Sequence, residues 1–433
     1  MTTDNVDDQK APSSAYLQAD TSSQVDLPDP AHDAPAGNAI LDLGGAHIAF
    51  RSAALTGVDH GLFYTSNTAT YESTYQQHVF LARIDPDLTS TQQVLLDGGD
   101  RYSPALIGDA AQGGVAVVKD GNAMTLLDSE LNISHALALG NESAAVHINA
   151  VDAGSDDRTL AVGYESGEGD GRDAYIVALN ADASVHAEFH FDDLAVDGSD
   201  EAFSDLLVLA DNSVLAWNDS QLFKFDQDLT LQKALAFDTS LADVAERPDG
   251  SLLVLDDSLQ DVFRLDTDLN VTDAWQGARD FGPGQFNIFP NAADFGSDEL
   301  TIAAGRSYQS GYSVLSFDLD DFAPGSTSVD SADAKHVDAG YLVATQALAG
   351  RSVSLGSDRE TLYVTDPSDD SAINTAQGSL SASDFSYALT ALDATEAGYP
   401  TSHSLDWGAS EISLVGIGAD TATHVTDGLT LSA

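Results

Sequence analysis

Apolar runs of strand length that alternate with polar residues, aspartate-bearing turns that recur at intervals of 40 to 52 residues, and the lack of any sustained helical period together predict an all-β fold: a single β-propeller of four-stranded antiparallel blades. The unit is an alternating run, then Asp-x-Asp-Leu or a variant, then a second run. It reads VFLARIDPDLTSTQQVLL around Asp85, MTLLDSELNISHALAL around Asp128 and AYIVALNADASVHAEFHF around Asn180. LFKFDQDLTLQKALAF around Asp226, VFRLDTDLNVTDAW around Asp266 and YSVLSFDLDDF around Asp318 follow. These six anchors are 43, 52, 46, 40 and 52 residues apart. A weaker seventh, YALTALDATEAG around Asp393, lies 75 residues further on, beyond PSDDSAINTAQGSLSAS.

The order of strands within a blade follows from what precedes each hairpin. LFYTSN, GVAVVKD, TLAVGYES, SVLAWND, SLLVLDD, ELTIAAG and TLYVTD are further β-runs, read as the second strand, with the hairpin as the third and fourth. The anchor aspartate suits a turn because its side chain accepts backbone N–H groups two residues on. Seven hairpins predict seven blades, with eight or six as alternatives. The terminal run EISLVGIGADTATHVTDGLTLSA either joins NAILDL in closing the ring or builds an eighth blade. Residues 1–38, rich in Asp, Ser, Ala and Pro, carry too few large apolar groups to offset ordering entropy. They read as a disordered acidic tail or docking segment, and residues 39–433 as the propeller.

At this point a resemblance emerges. PDGSLLVLDDSLQDVFRLDTDLNV (Pro248–Val271) followed by FGPGQFNIFPNAADFGSDELTIAA (Phe281–Ala304) resembles consecutive NHL-type propeller repeats. LAVGYESGEGDGRDAYIVALNADASV (Leu160–Val185) is similar to another bacterial and archaeal propeller repeat. The resemblance implies blade architecture and is nearly silent on function, since propellers host unrelated activities.

Composition speaks to habitat. The net charge is −54, with 58 Asp against 12 Glu and only five Lys. Such self-repulsion is severe in dilute buffer and is largely screened in molar salt, where the Debye length is about 3 Å. The composition resembles that of proteins from extreme halophiles. It argues against nucleic acid and anionic membranes as partners, because both attract basic surfaces. With no cysteine there is no disulfide, thiolate metal site or cysteine nucleophile. No apolar run reaches 18 residues, and MTTDNVDDQKAPSSAY carries neither a basic nor an apolar export segment.

Chemistry-bearing patterns are few. Asp85/Asp87, Asp226/Asp228 and Asp266/Asp268 are the calcium candidates, as oxygen donors at hairpin tips, although none continues into a full Asp-x-Asp-x-Asp-Gly loop. GEGDGRD (Gly167–Asp173) is an acidic connection that suits calcium, a contact or a plain insertion. His186 and His190 fall on one strand face about 13 Å apart, too far to share a metal ion. Glu246, Asn291 and Asp294 have the residue types of a lactonase-like metal site, without its order. There is no Gly-x-Ser-x-Gly elbow and no phosphate loop. Trp217, Trp275 and Trp407 read as packing residues, and Asn-x-Ser/Thr sequons begin at Asn132, Asn141, Asn218 and Asn270.

The expectation is a non-catalytic structural or protein-interaction module of an external, salt-adapted assembly: a spike, turret or tail of a halophilic archaeal virus, or a halophile surface protein. Its partners would be proteins met through the N-terminal tail, or a surface receptor or glycan. No cofactor is expected beyond calcium. The alternatives are an intracellular scaffold or sensor, and a metal-dependent lactonase or hydrolase.

Overall fold

The hairpin tip around Asp226 shows how the repeat folds. Its Oδ1 accepts the backbone N–H of Asp228 (3.0 Å) and of Thr230 (2.9 Å), while its own N–H donates to the Thr230 carbonyl. Leu229 closes the turn in the left-handed region, with φ of 59°. The extra residue shifts the register between Lys224 and Phe225, which is a β-bulge. Asp128 with Leu131 and Asp266 with Leu269 repeat the construction. A left-handed backbone costs a residue with a Cβ about 1–2 kcal/mol. Leu131, Leu229 and Leu269 are buried to within 2%, and burying a leucine is worth about 2 kcal/mol. The two effects offset, which explains why the repeat ends in Leu where an isolated turn would take Gly.

The computed structural model describes residues 39–42, 53–58, 61–71, 75–84, 90–97, 105–119, 121–141, 144–166, 172–191, 202–259, 261–277, 288–296, 299–306, 312–330, 335–337, 342–348, 351–356, 361–365, 379–382 and 390–391. They form seven antiparallel sheets. From inner to outer strand, blade 1 is Ala53–Val58, Gly61–Tyr71, Tyr75–Ile84 and Ser90–Asp97, and blade 2 is Leu106–Ala110, Gly114–Lys119, Ala123–Leu127 and Ile133–Ala138. Blade 3 is Ala144–Ala153, Thr159–Ser166, Arg172–Leu179 and Val185–His190, with Gly140–Asn141 added on its inner edge. Blade 4 is Asp205–Val208, Val214–Trp217, Gln221–Phe225 and Leu231–Ala236, and blade 5 is Leu241–Glu246, Leu252–Asp256, Asp261–Leu265 and Val271–Gly277. Blade 6 is Ile288–Phe295, Glu299–Arg306, Tyr312–Asp318 and Lys335–Val337. Blade 7 takes Leu342–Leu348, Arg351–Gly356 and Thr361–Thr365 from one end of the chain and its outer strand, Ala39–Asp42, from the other.

Each inner strand touches the next, and Leu342–Leu348 touches Ala53–Val58, so the ring closes. The fold is a seven-bladed β-propeller. NAILDL takes part in closing the ring, as expected, but TLYVTD is the third strand of blade 7 rather than the second. Of YALTALDATEAG the described part is Thr390–Ala391, which pairs with the outer strand of blade 4; the preceding Ser379–Ala382 pairs with that of blade 5. Both are added strands outside the ring. The terminal EISLVGIGADTATHVTDGLTLSA and residues 1–38 lie outside the described residues. Among those described, no helix is long and apolar enough to cross a membrane.

The core consists of layers between blades. Phe189 and Phe191 of blade 3 meet Phe203, Phe223 and Phe225 at the boundary with blade 4, with ring centroids 5.4–6.0 Å apart around Phe191 and edge-on or tilted geometry. Trp217 and Trp275 are buried in the layers on either side of blade 5, which accords with packing roles.

Candidate functional site

Two constellations recur around the ring, one on the inner strands and one at the hairpin tips. On the inner strands, polar side chains tie blade to blade at four junctions. The Val208 N–H of blade 4 donates to Asp152 Oδ2 of blade 3 at 2.7 Å. Phe295 of blade 6 donates to Asp243 of blade 5 at 3.0 Å, and Ala347 of blade 7 to Asp294 of blade 6 at 2.9 Å. Gly57 of blade 1 donates to Gln346 Oε1 of blade 7 at 2.6 Å, across the point where the ring closes.

These acids sit deep in protein and close to one another, so most of them resist ionisation. Burial, then the neighbouring charges of Asp243 and Asp152, push the Asp205 carboxyl up to about 8, against the lowering effect of the Leu206 N–H. Burial raises Asp243 as well; Asp294 rises through burial, then through Asp243 and Glu299. Burial and mutual repulsion therefore hold these inner carboxyls above the ordinary carboxylate range, and Asp205 keeps its proton at neutral pH. A protonated acid that accepts a backbone N–H fastens blades together.

At the tips, scarce cations do the fastening. Arg83, Lys224 and Arg264 each stand two residues before an anchor aspartate, on the third strand of blades 1, 4 and 5. Each donates to a backbone carbonyl in the tip of the following blade: Ser129 at 3.4 Å, Thr267 at 2.9 Å and Phe322 at 2.5 Å. Arg158 of blade 3 reaches Gln227 in the tip of blade 4, and Arg247 of blade 5 reaches Asp320 of blade 6, both at 2.5 Å. Lys233 of blade 4 donates to Asp268 and Asn270 of blade 5, and burial holds its ammonium below the usual range. Among the described residues, Arg83, Arg158, Lys224, Lys233, Arg247 and Arg264 thus join adjacent blades.

The calcium candidates are placed by the same tips. Asp226 and Asp266 direct their carboxylates inward onto the turn, where Gln232 and Asn270 side-chain amides also donate. Asp228 points outward, 65% exposed, with His186 Nε2 at 3.2 Å. The carbonyl of Asp268 accepts from Lys233. Among the described residues, no three of His, Asp and Glu come together as a metal site. Asp85 and Asp87 lie outside the described residues.

The remaining patterns also resolve into separate contacts. His190 meets Glu165 at 2.8 Å, whereas His186 faces the next blade. Glu246 accepts the Ala210 N–H of blade 4, and Asp294 that of Ala347, so the pair is spent on different junctions. Asn291 marks a bulge in Ile288–Phe295. The sequon amides of Asn132, Asn218 and Asn270 are hydrogen-bonded within the chain, to Asp128, Gln221 and Asp266. Most of GEGDGRD, together with Trp407, lies outside the described residues.

The sequence matches no protein-family model and no curated protein. Solved structures similar to the chain include the β-propeller domain of Cps50 (Swd1) from Myceliophteria thermophila, 8% identical with a TM-score of 0.48 over 75% of this chain and 99% of that one. A streptogramin B lyase is 10% identical, with a TM-score of 0.46 over 81% and 100%. BamB from Moraxella catarrhalis is 10% identical, with a TM-score of 0.41 over 78% and 99%.

Proposed function

We propose that this chain is a non-catalytic propeller serving as a structural or protein-interaction module of an external assembly in brine, on the surface of a halophile or in a virus particle that infects one. The observation that supports the reading most is the use made of charged groups. Inner carboxyls fasten neighbouring blades, tip aspartates hold their own turns, and basic side chains staple blade to blade. Other exposed acids, such as Asp157 and Asp219, form a hydrated anionic surface. That surface suits molar salt, where protein partners rather than polyanions approach it.

The hydrolase alternative needs inner carboxylates that are ionised and convergent. Here Asp243 and Asp294 are each engaged with an adjacent blade, and among the described residues no three of His, Asp and Glu converge.

Quantitative proteomics on a fractionated culture of the source organism tests the reading. Enrichment in envelope or particles, at a fixed ratio to the major surface or capsid protein, is expected. Recovery only as free protein in the cytosol refutes it.

A further inference from the structure

Two of the Asn-x-Ser/Thr triplets start at hairpin tips, at the same place in the repeat. The residue four places after the anchor is Asn132 in blade 2, Ser184 in blade 3, Thr230 in blade 4 and Asn270 in blade 5. Its backbone carries the turn. The Asn132 N–H donates to Asp128 Oδ1 at 2.8 Å, and its carbonyl accepts the Asp128 N–H at 2.9 Å. Thr230 makes the same two bonds with Asp226, at 2.9 Å each, and the Ser184 carbonyl accepts the Asn180 N–H at 2.8 Å. Since threonine and serine serve at this place, the tip does not need an asparagine amide.

What differs between the triplets is access. Asn132 and Ser134, the first and third residues of Asn-Ile-Ser, are both exposed. The Asn132 amide reaches Asp128 only at 3.2 and 3.3 Å, the long end of hydrogen bonding. Asp128 still accepts the backbone N–H groups of Glu130 and Asn132 when that amide turns away. Asn270 is half-buried, donating to Asp266 at 2.9 Å and accepting from Lys233 at 3.2 Å. Asn218 is buried to 2%, and its amide donates to Gln221 at 3.0 Å. An acceptor amide must swing free of the protein to enter a transferase. Freeing Asn132 costs one weak exposed contact, whereas freeing Asn218 or Asn270 strands buried partners.

We propose that Asn132 is an N-glycosylation site and that Asn218 and Asn270 are not. The Asn132 Nδ2 forms a bond to the anomeric carbon of a sugar carried on a lipid phosphate. The bond from that carbon to the phosphate oxygen breaks, the lipid phosphate leaves with the electron pair, and the amide gives up one proton. The inference rests on the external location proposed above, since the amide must meet the transferase on the outward side of a membrane. The glycan sets neutral hydroxyls beside the exposed Asp128 and Glu130.

Glycopeptide mass spectrometry tests it on protein purified from the envelope or particle fraction of the source organism. Cleavage before aspartate releases 128–151, which holds both Asn132 and Asn141. Fragmentation is expected to place a sugar mass on Asn132, and the peptides with Asn218 and Asn270 are expected at their unmodified masses. Ser134→Ala, expressed in the same organism, removes the recognition hydroxyl while Asn132 stays, and is expected to abolish the added mass. Asn132→Thr, which copies the tip of blade 4, is expected to do the same with an unchanged melting temperature.

A bare Asn132 in protein from the envelope or particles overturns the inference and leaves the proposed function standing. Sugar confined to Asn141, Asn218 or Asn270 overturns it in the same way. A bare Asn132 in protein found only in the cytosol overturns both.

Discussion

Asp205→Asn separates charge from shape at the most perturbed carboxyl. Asparagine keeps an Oδ1 acceptor for the Leu206 N–H, which Asp205 accepts at 2.8 Å, and it removes the ionisable group. In the unfolded chain Asp205 ionises near its model value of 3.8; in the folded ring it holds its proton up to about 8. Its folded value is raised, so its stabilising contribution is complete below 3.8 and is lost as pH rises through about 8. At about pH 7.5 the cost of keeping the proton has a ceiling of about 5 kcal/mol, from roughly 1.4 kcal/mol per pH unit. Relaxation and a high effective dielectric reduce it to about 2–3 kcal/mol. Asp205→Asn is therefore expected to stabilise the protein by that amount at pH 7.5–8 and to leave it almost unchanged near pH 4. Urea unfolding in molar KCl, followed by fluorescence of the buried Trp217 and Trp275, reads the difference as a shift in midpoint. A variant equal to or weaker than the parent at pH 8, with an unchanged midpoint at pH 4, would mean that Asp205 is ionised and paired, and the account of the inner acids would fail.

Three further outcomes follow from the geometry. Leu229→Gly relaxes a left-handed backbone but empties a buried site, so a net loss of about 1–3 kcal/mol is expected in chemical denaturation; a gain would show that strain outweighs burial. Arg264→Met leaves the Phe322 carbonyl and Asp249, now 2.5 and 2.6 Å from its guanidinium, without their donor. A loss of about 2–3 kcal/mol is expected, with faster amide exchange at the blade 5–blade 6 boundary. Gly163→Ala places a Cβ 1.8 Å from the His147 carbonyl oxygen; the bulge at Ile148 and Ala150 must then shift, and the melting temperature of the soluble fraction is expected to fall by several degrees.

The parts of the fold that leave a local mark were legible in the residues. The Asp-x-Asp-Leu turns around Asp128, Asp226 and Asp266 declare themselves because one carboxylate and the next few N–H groups make the whole motif. Blade 7 was misassembled from sequence for the converse reason. LVATQAL and RSVSLG carry no anchor aspartate, and their partner NAILDL lies more than 300 residues away. The protonation of Asp205, Asp243 and Asp294 is likewise set by neighbouring blades, so no short window announces it. The staples did leave a signal that went unread: ARIDPDL, FKFDQDL and FRLDTDL each place a cation two residues before the anchor. In a chain with so few basic residues, that coincidence marks a shared task.

The pairing of Ala39–Asp42 with Thr361–Thr365 also sets a timetable. Leu41 meets Leu362, about 320 residues later in synthesis. At about 5–20 residues per second, Ala39–Asp42 waits roughly 15–60 s for its partner. Blades 1 to 6 can form in that interval, each packing on the one before it, while blade 7 must wait for both ends. Deleting residues 39–42 leaves the inner-strand contacts that close the ring in place, but strips blade 7 to three strands and bares the Thr361–Thr365 edge.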